Sequence, residues 1–156
     1  MSLLLDGTNG ITFNNATTQT SAGVVLQVVN AINQTVSNTT SNGTLVSTGL
    51  TASITPKFST SKVLVLVGFR QGSSTVNGAN YAIYKNSTNL TGTNGYTTNG
   101  LAGYSYIQFS LLDSPATTSS TSYTLYQASN GVGTVYFQPN STGDFPAYIT
   151  LMEVAQ

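Results

Sequence analysis

The sequence predicts an all-β protein, an antiparallel sandwich of two sheets, on three observations. Ser, Thr, Asn and Gly take the place of charged residues, which make up only 5% of the 156 residues, and these types favour strands and turns over helix interiors. Apolar residues alternate with polar ones in many segments, whereas no segment has the 3.6-residue spacing of an amphipathic helix. Turn-forming clusters separate the segments at the short intervals that are typical of sandwiches.

Eight strands are predicted after residue 23. They cover residues 24–29, 49–56, 62–69, 80–86, 103–112, 121–129, 133–138 and 147–154. The four prolines lie at or near the ends of these segments, where a missing backbone N–H does not interrupt a sheet. Eight antiparallel strands in one sandwich indicate a jelly roll.

Residues 1–23 form a separate N-terminal arm, ahead of a sandwich domain at residues 24–156. The segment "GITFNNATTQTSAG", residues 10–23, is polar except for Ile11 and Phe13, the two large apolar residues. Because they are two positions apart, Ile11 and Phe13 lie on the same side of an extended chain. So short a strand is not stable alone, and we expect the arm to lie against a sheet edge or a groove.

The third predicted strand, residues 62–69, is apolar on both faces. One face carries Val63, Val65, Val67 and Phe69, and the other carries Leu64, Leu66 and Gly68. In a sandwich only one face of each sheet meets the core. The second face therefore indicates a subunit interface; the alternative is deep burial within a single sandwich. Residues 147–154 show the same pattern.

Rows of tyrosine add to this surface. Tyr104 and Tyr106 share the face of their strand that is opposite Phe109, and Tyr126 and Tyr136 occupy similar alternate positions. Such rows fit a subunit interface, ordinary cross-strand pairing on a solvated face, or stacking against sugars. The predicted subunit interface comprises Leu64, Leu66, Tyr104, Tyr106, Tyr126 and Tyr136.

The residue inventory argues against catalysis. His, Cys and Trp are absent, which removes the commonest general base, the usual zinc ligands and thiol nucleophiles. An enzyme that cleaves polysaccharide needs two carboxylates across the scissile bond, and Asp113 and Asp144 are the candidates for that pair. We predict no enzymatic activity, no catalytic residue, no cofactor and no metal.

Charge and hydropathy also argue against nucleic acid and membranes as partners. Four cationic residues are too few for the phosphate contacts of a nucleic-acid-binding protein. The N-terminus lacks the positive region and the long apolar run of a signal peptide, and no stretch has the length of a membrane span. We therefore expect a protein that is made in a cytoplasm and binds neither nucleic acid nor membrane.

Two segments resemble known proteins. "GITFNNATTQTSAG" resembles the short N-terminal segment of many tailed-bacteriophage virion proteins, with Ile11, Phe13 and Gln19 in place and Asn15-Ala16 where Asp-Gly is more common. "LDSPATTSSTSYTLY" and "ITLMEVA" resemble a domain that is common in phage structural proteins. Together these resemblances cover about residues 10–156. More loosely, "NYAIYKNSTNL" is similar to the trimeric jelly rolls of the C1q and tumour-necrosis-factor type.

The resemblance implies a homotrimeric capsid decoration, or cement, protein on the outer surface of the virion. Its arm, through Ile11, Phe13 and Gln19, would bind the major capsid protein or another virion protein. The alternative is a head- or tail-fibre domain that binds host-surface glycans.

Overall fold

The computed structural model describes residues 24–74, 78–93, 95–98, 103–138 and 145–155, together with the backbone of three short strands within residues 1–23. The described residues form two main antiparallel sheets and no helix, which confirms the all-β prediction. No helix long and apolar enough to cross a membrane occurs in this part of the chain.

The described residues contain fourteen strands. They are β1 (Leu4–Asp6), β2 (Gly10–Thr12), β3 (Thr18–Gln19), β4 (Val25–Asn33), β5 (Ser37–Thr39), β6 (Val46–Ile54), β7 (Lys62–Ser73), β8 (Ala79–Lys85), β9 (Thr88–Asn89), β10 (Tyr96–Thr98), β11 (Gly103–Asp113), β12 (Thr121–Ser129), β13 (Val135–Phe137) and β14 (Ala147–Val154). Each of the eight predicted strands has a counterpart, and β12 and β14 have the predicted bounds. The predicted count of eight is too low because the other strands have only two or three residues, too few for a repeating pattern.

The strand β7 organises the six-stranded sheet. One edge of β7 pairs with β11 over the whole length of β11. Its other edge is shared by β14, which pairs as far as Gly68, and by β13, which pairs from Gln71 onward. The strands β4 and β5 lie beyond β14 and β13. The five-stranded sheet has the order β10-β8-β12-β6, with β9 paired to β8.

The hydrophobic core lies between the two sheets. It is built from alternate residues of six strands, listed here: Leu50, Ala52, Ile54, Val63, Val65, Val67, Phe69, Ala79, Tyr81, Ile83, Tyr123, Leu125, Val135, Phe137, Ala147, Ile149 and Leu151. On β7 the valines are at most 1% exposed, whereas Leu64 and Leu66 lie on the opposite face and are half-buried. The prediction that β7 is apolar on both faces is confirmed.

A glutamine closes a gap in this sheet. On the edge of β7 away from β11, pairing with β14 ends at Gly68 and pairing with β13 begins at Gln71, so Arg70 lies between the two strands. The backbone N–H of Gln138 donates to the Arg70 carbonyl at 2.9 Å, and its Oε1 accepts the Arg70 N–H at 2.8 Å. Its Nε2 donates to the carbonyl of Phe145 at 2.9 Å. The buried Gln138 side chain therefore takes the place of a missing strand residue and fixes the backbone next to β14.

The strands of the arm pair with one another. Leu4–Asp6 pairs with Gly10–Thr12, and the backbone of Ile11 is opposite Gln19. The described strands of residues 1–23 thus form a three-stranded sheet of their own, whereas the sequence suggested pairing with a separate edge or groove. Phe13 and the side chains of Ile11 and Gln19 lie outside the described residues.

The buried hydroxyl of Tyr81 gives a stability prediction. Tyr81 is 0% exposed, its hydroxyl has no hydrogen-bond partner among the described atoms, and burial raises the pKa of this phenol. Because an unpaired buried hydroxyl costs free energy, Tyr81→Phe should raise the free energy of unfolding by about 1 kcal/mol in denaturant titrations. The control Tyr123→Phe should lower it, since the Tyr123 hydroxyl donates to Asp113 Oδ2 at 2.7 Å. A loss of stability in Tyr81→Phe would contradict the prediction.

Candidate interaction surface

The outward side of the six-stranded sheet carries many large apolar side chains. Strand register places its side chains in rows across β4, β14, β7 and β11. We call the following residues the outer apolar face: Val28, Ile32, Leu64, Leu66, Tyr104, Tyr106, Leu112, Tyr148 and Met152. Five of them are between 55% and 62% exposed, namely Val28, Ile32, Tyr104, Tyr106 and Leu112. Monomeric proteins seldom expose so many large apolar side chains side by side.

The outward side of the five-stranded sheet is different. On β6 and β12 it carries Ser and Thr at alternate positions, among them Thr51 and Thr124, whose hydroxyls are 2.8 Å apart. Its aromatic residues are Tyr84 and Tyr126, which stack with ring centroids 4.0 Å apart and an interplanar angle of 27°. The two outer faces therefore differ in chemistry, and large apolar side chains are more numerous on that of the six-stranded sheet.

Few charges lie on the outer apolar face. Among the described residues of its four strands, the charged side chains directed outward are Lys62 and Arg70, whereas Asp113 and Glu153 are directed inward. The Arg70 guanidinium carbon lies 4.6 Å from the centroid of the Tyr104 ring, a cation–π contact. A protein that binds this face therefore does not need a group of acidic residues to pair with it.

A groove of about 470 Å³ crosses the outer apolar face. The Tyr148 ring forms part of its floor and lies directly over Gly68, where an added Cβ would come within 2.5 Å of ring atoms. Gln108 Nε2 donates to the Tyr148 hydroxyl at 2.9 Å and holds the ring in that position. Phe145, 80% exposed, packs edge-to-face with Tyr106 at 6.4 Å between ring centroids. The groove is thus aromatic and preformed.

The six residues predicted to form an interface do not all lie on the same sheet. Leu64, Leu66, Tyr104 and Tyr106 lie together on the outer apolar face, and the register of Tyr136 with Gly72 places Tyr136 on the same side of the sheet. Tyr126 lies on the outer side of the other sheet.

Other residues of this surface are not among the six predicted interface residues. They are Val28, Ile32, Leu112, Tyr148 and Met152 of the outer apolar face, and Phe145 beside its groove. The positions of Tyr148 and Met152 within residues 147–154 place them on the same face of their strand, so their membership of this surface could be predicted from the sequence.

The acidic side chains that the structure describes have structural partners. The Asp113 carboxylate is 3.1 Å from Lys85 Nζ and accepts the Tyr123 hydroxyl. Asp144, the second carboxylate of the polysaccharide-cleaving hypothesis, lies outside the described residues, and that pair stays untested. In the described part of the chain, no three acidic residues cluster as a metal site would require.

Glu153 is a buried carboxylate with several hydrogen bonds. It is 0% exposed, at the end of β14. Gln27 Nε2 donates to its Oε2 at 2.6 Å, and the N–H groups of Lys57 and Phe58 donate to its Oε1 at 2.7 and 3.4 Å. Burial on its own raises the pKa of Glu153, but these hydrogen bonds outweigh it and hold the pKa below its usual value of 4.5. The carboxylate therefore ties β14 to β4 and to the turn after β6.

No family model matches the sequence, and no curated protein matches it. The class that fold and surface define is an all-β protein with two antiparallel sheets, one of which presents an apolar outer face.

Proposed function

We propose that this chain is a structural protein of a tailed-bacteriophage particle, a homotrimeric jelly-roll protein that decorates the outer capsid surface and stabilises the head. The resemblance of residues 10–23, 112–126 and 149–155 to phage virion proteins supports the location. The outer apolar face is the main observation in support of a structural role. A protein that associates with its partners by surface complementarity needs such a face and needs no catalytic group.

The contact between subunits uses the outer apolar face. Leu64 and Leu66 lie at its centre on β7, flanked by β11 with Tyr104 and Tyr106. Tyrosine and leucine bury much apolar area in such contacts, and the scarcity of charge avoids the desolvation of unpaired ions. Tyr136 lies toward the margin, and Tyr126, on the other sheet, lies outside the proposed contact.

The arm, residues 1–23, anchors the trimer on the particle. Ile11, Phe13 and Gln19 bind the major capsid protein or another virion protein, with strand pairing as the backbone contribution. Three arms on one trimer give avidity without a strong contact at each arm. Because the protein carries so few charges, we expect attachment to depend little on salt.

The decisive experiment counts copies of this protein in purified particles by quantitative mass spectrometry. A decoration protein should be present in a number that tracks the major capsid protein. As a control, a protein without residues 1–22 should still fold and trimerise but should not bind to undecorated particles. A small number set by tail or vertex symmetry, or normal binding by the truncated protein, would contradict the proposal.

A second candidate, a head- or tail-fibre domain that binds host glycans, is favoured by a different surface. Next to the Tyr84–Tyr126 stack lies a groove of about 550 Å³ lined by Tyr84, Thr44, Asn89 and Thr93. Aromatic rings beside hydroxyl and amide groups suit the alternating apolar and polar faces of a sugar. A small copy number together with glycan binding that is lost in Tyr84→Ala would support this candidate over decoration.

A further inference from the structure

The strand β11 lies at an edge of the six-stranded sheet. It pairs with β7 over all eleven of its residues, Gly103–Asp113. Among the described strands, those of the arm included, none pairs with its other edge. An edge strand of this length presents a row of backbone donors and acceptors to its surroundings.

The backbone groups on that edge can be assigned. Both the N–H and the carbonyl of Arg70 bond to Gln138, away from β11, so Arg70 and its partner Tyr106 form a non-hydrogen-bonded pair. Alternate residues of β11 therefore direct their N–H and carbonyl groups to the free edge. They are Tyr104, Tyr106, Gln108, Ser110 and Leu112. In agreement, the Tyr96 hydroxyl donates to the Ser110 carbonyl at 3.0 Å.

The usual protections of an edge strand are missing from β11. Proteins block free edges with lysine, proline or a bulge. The register between β11 and β7 is continuous, without a bulge, and β11 contains neither Lys nor Pro. Its charged residue, Asp113, lies at the end of the strand and is already bonded to Lys85 and Tyr123. An approaching strand therefore meets no lysine, proline or bulge on β11, and it has to displace the Tyr96 hydroxyl from the Ser110 carbonyl.

The described residues leave the core partly exposed beneath this edge. Ile107, Phe109 and Leu111 of β11 face the core but are only half-buried, whereas the valines of the adjacent β7 are at most 1% exposed. Tyr96 covers part of Phe109, with ring centroids 4.1 Å apart. One more strand beside β11, with apolar side chains at alternate positions, would cover the rest of these residues.

We infer that the free edge of β11 binds an extended segment of a different polypeptide chain as an added strand. The segment is uncharged and carries apolar side chains at every second position. Backbone hydrogen bonds to the alternate residues of β11 supply affinity, and contact with Ile107, Phe109 and Leu111 sets the spacing of the apolar side chains. This inference goes beyond the proposed function and does not depend on it, since strand addition uses the backbone of β11 in the plane of the sheet, whereas the proposed subunit contact uses side chains of the outer apolar face.

Hydrogen exchange of the full-length protein, followed by NMR, tests the inference. The probe is a capped seven-residue peptide of alternating valine and threonine. The amides of Tyr104, Tyr106, Gln108, Ser110 and Leu112 should exchange rapidly in the free protein and at least about tenfold more slowly with the probe. The intervening amides of β11 bond to β7 and should be protected in both states. This alternation distinguishes strand addition from nonspecific binding to an apolar surface.

Two variants of Ser110 provide a further test. Ser110→Pro removes one outward N–H and should abolish the protection, whereas Ser110→Thr keeps the N–H and should retain it. If the proline variant does not fold, the comparison of outward and intervening β11 amides in the wild-type protein, with and without the probe, still tests the inference.

Three results would overturn the inference. The probe could leave the outward amides unchanged. The outward amides could be protected in the free protein in proportion to its concentration, in which case a second copy occupies the edge. They could also be protected at every concentration, in which case another part of the same chain covers it.

Discussion

Replacing Leu66 by lysine is expected to convert the proposed trimer into monomers while the fold of each subunit is retained. Leu66 lies near the middle of the outer apolar face, opposite Thr150 of β14 and Ser110 of β11. It is half-buried in the monomer, so a lysine there can extend into water. In the trimer the same ammonium group would be buried without a partner at every subunit contact. We expect the association to weaken at least about a hundredfold.

Sedimentation velocity over a range of concentrations measures this effect. The matched control is Ser53→Lys, which places the same charge on the exposed outer side of the five-stranded sheet and should leave the trimer intact. Circular dichroism should show the same β content in all three proteins. A trimer that persists in Leu66→Lys would rule out this face as the contact, and a wild-type protein that stays monomeric throughout would rule out the trimer itself.

The second large effect is expected at Glu153. Glu153→Gln should lower the free energy of unfolding at pH 7 by roughly 2–3 kcal/mol, because one of two acceptor oxygens in a buried site is replaced by an amide N–H₂ group. That group would face donors, either Gln27 Nε2 or the N–H groups of Lys57 and Phe58. The turn after β6 would lose part of its attachment to β14.

The effect of pH on this site has a definite sign. The folded-state pKa of Glu153 is held below its usual value of 4.5, so the carboxylate stabilises the fold above that value. The stabilisation is lost as the pH falls through the folded-state pKa. Denaturant titrations at about pH 7 and about pH 3 should therefore show that the difference between the wild-type protein and Glu153→Gln shrinks in acid. A difference that is equal at both pH values would mean that Glu153 is not the titrating group.

Much of the sandwich could be predicted because the strands are long and patterned. The segments that became β12 and β14 are rich in residues that favour strands, and turn-forming residues border them, so their bounds were predicted as observed. Both apolar faces of β7 were visible in the sequence for the same reason. The strands β5, β9 and β10 have two or three residues and form only where long neighbours supply an edge, which no local pattern records.

The candidate surface was predictable only in part. Alternation tells which side of a strand a residue occupies but not which sheet the strand joins. Tyr126 was therefore grouped with Tyr104 and Tyr106, although β12 belongs to the opposite sheet. The role of Gln138 has no signal in the sequence, because its bonds to Arg70 and Phe145 fill a gap between β13 and β14 that exists only where both strands pair with β7, which is remote in the chain.

The position of β14 has a consequence for how this protein is made. In the six-stranded sheet β14 lies between β4 and β7, so residues 25–33 gain their partner strand only when residues 147–154 have been synthesised. Until then the nascent chain carries β7, a strand apolar on both faces, with most of one edge unpaired. Such an intermediate is prone to aggregation and to slow folding, because its contacts span more than a hundred residues of sequence. High-yield production should therefore respond to chaperone supply and to slower synthesis at lower temperature.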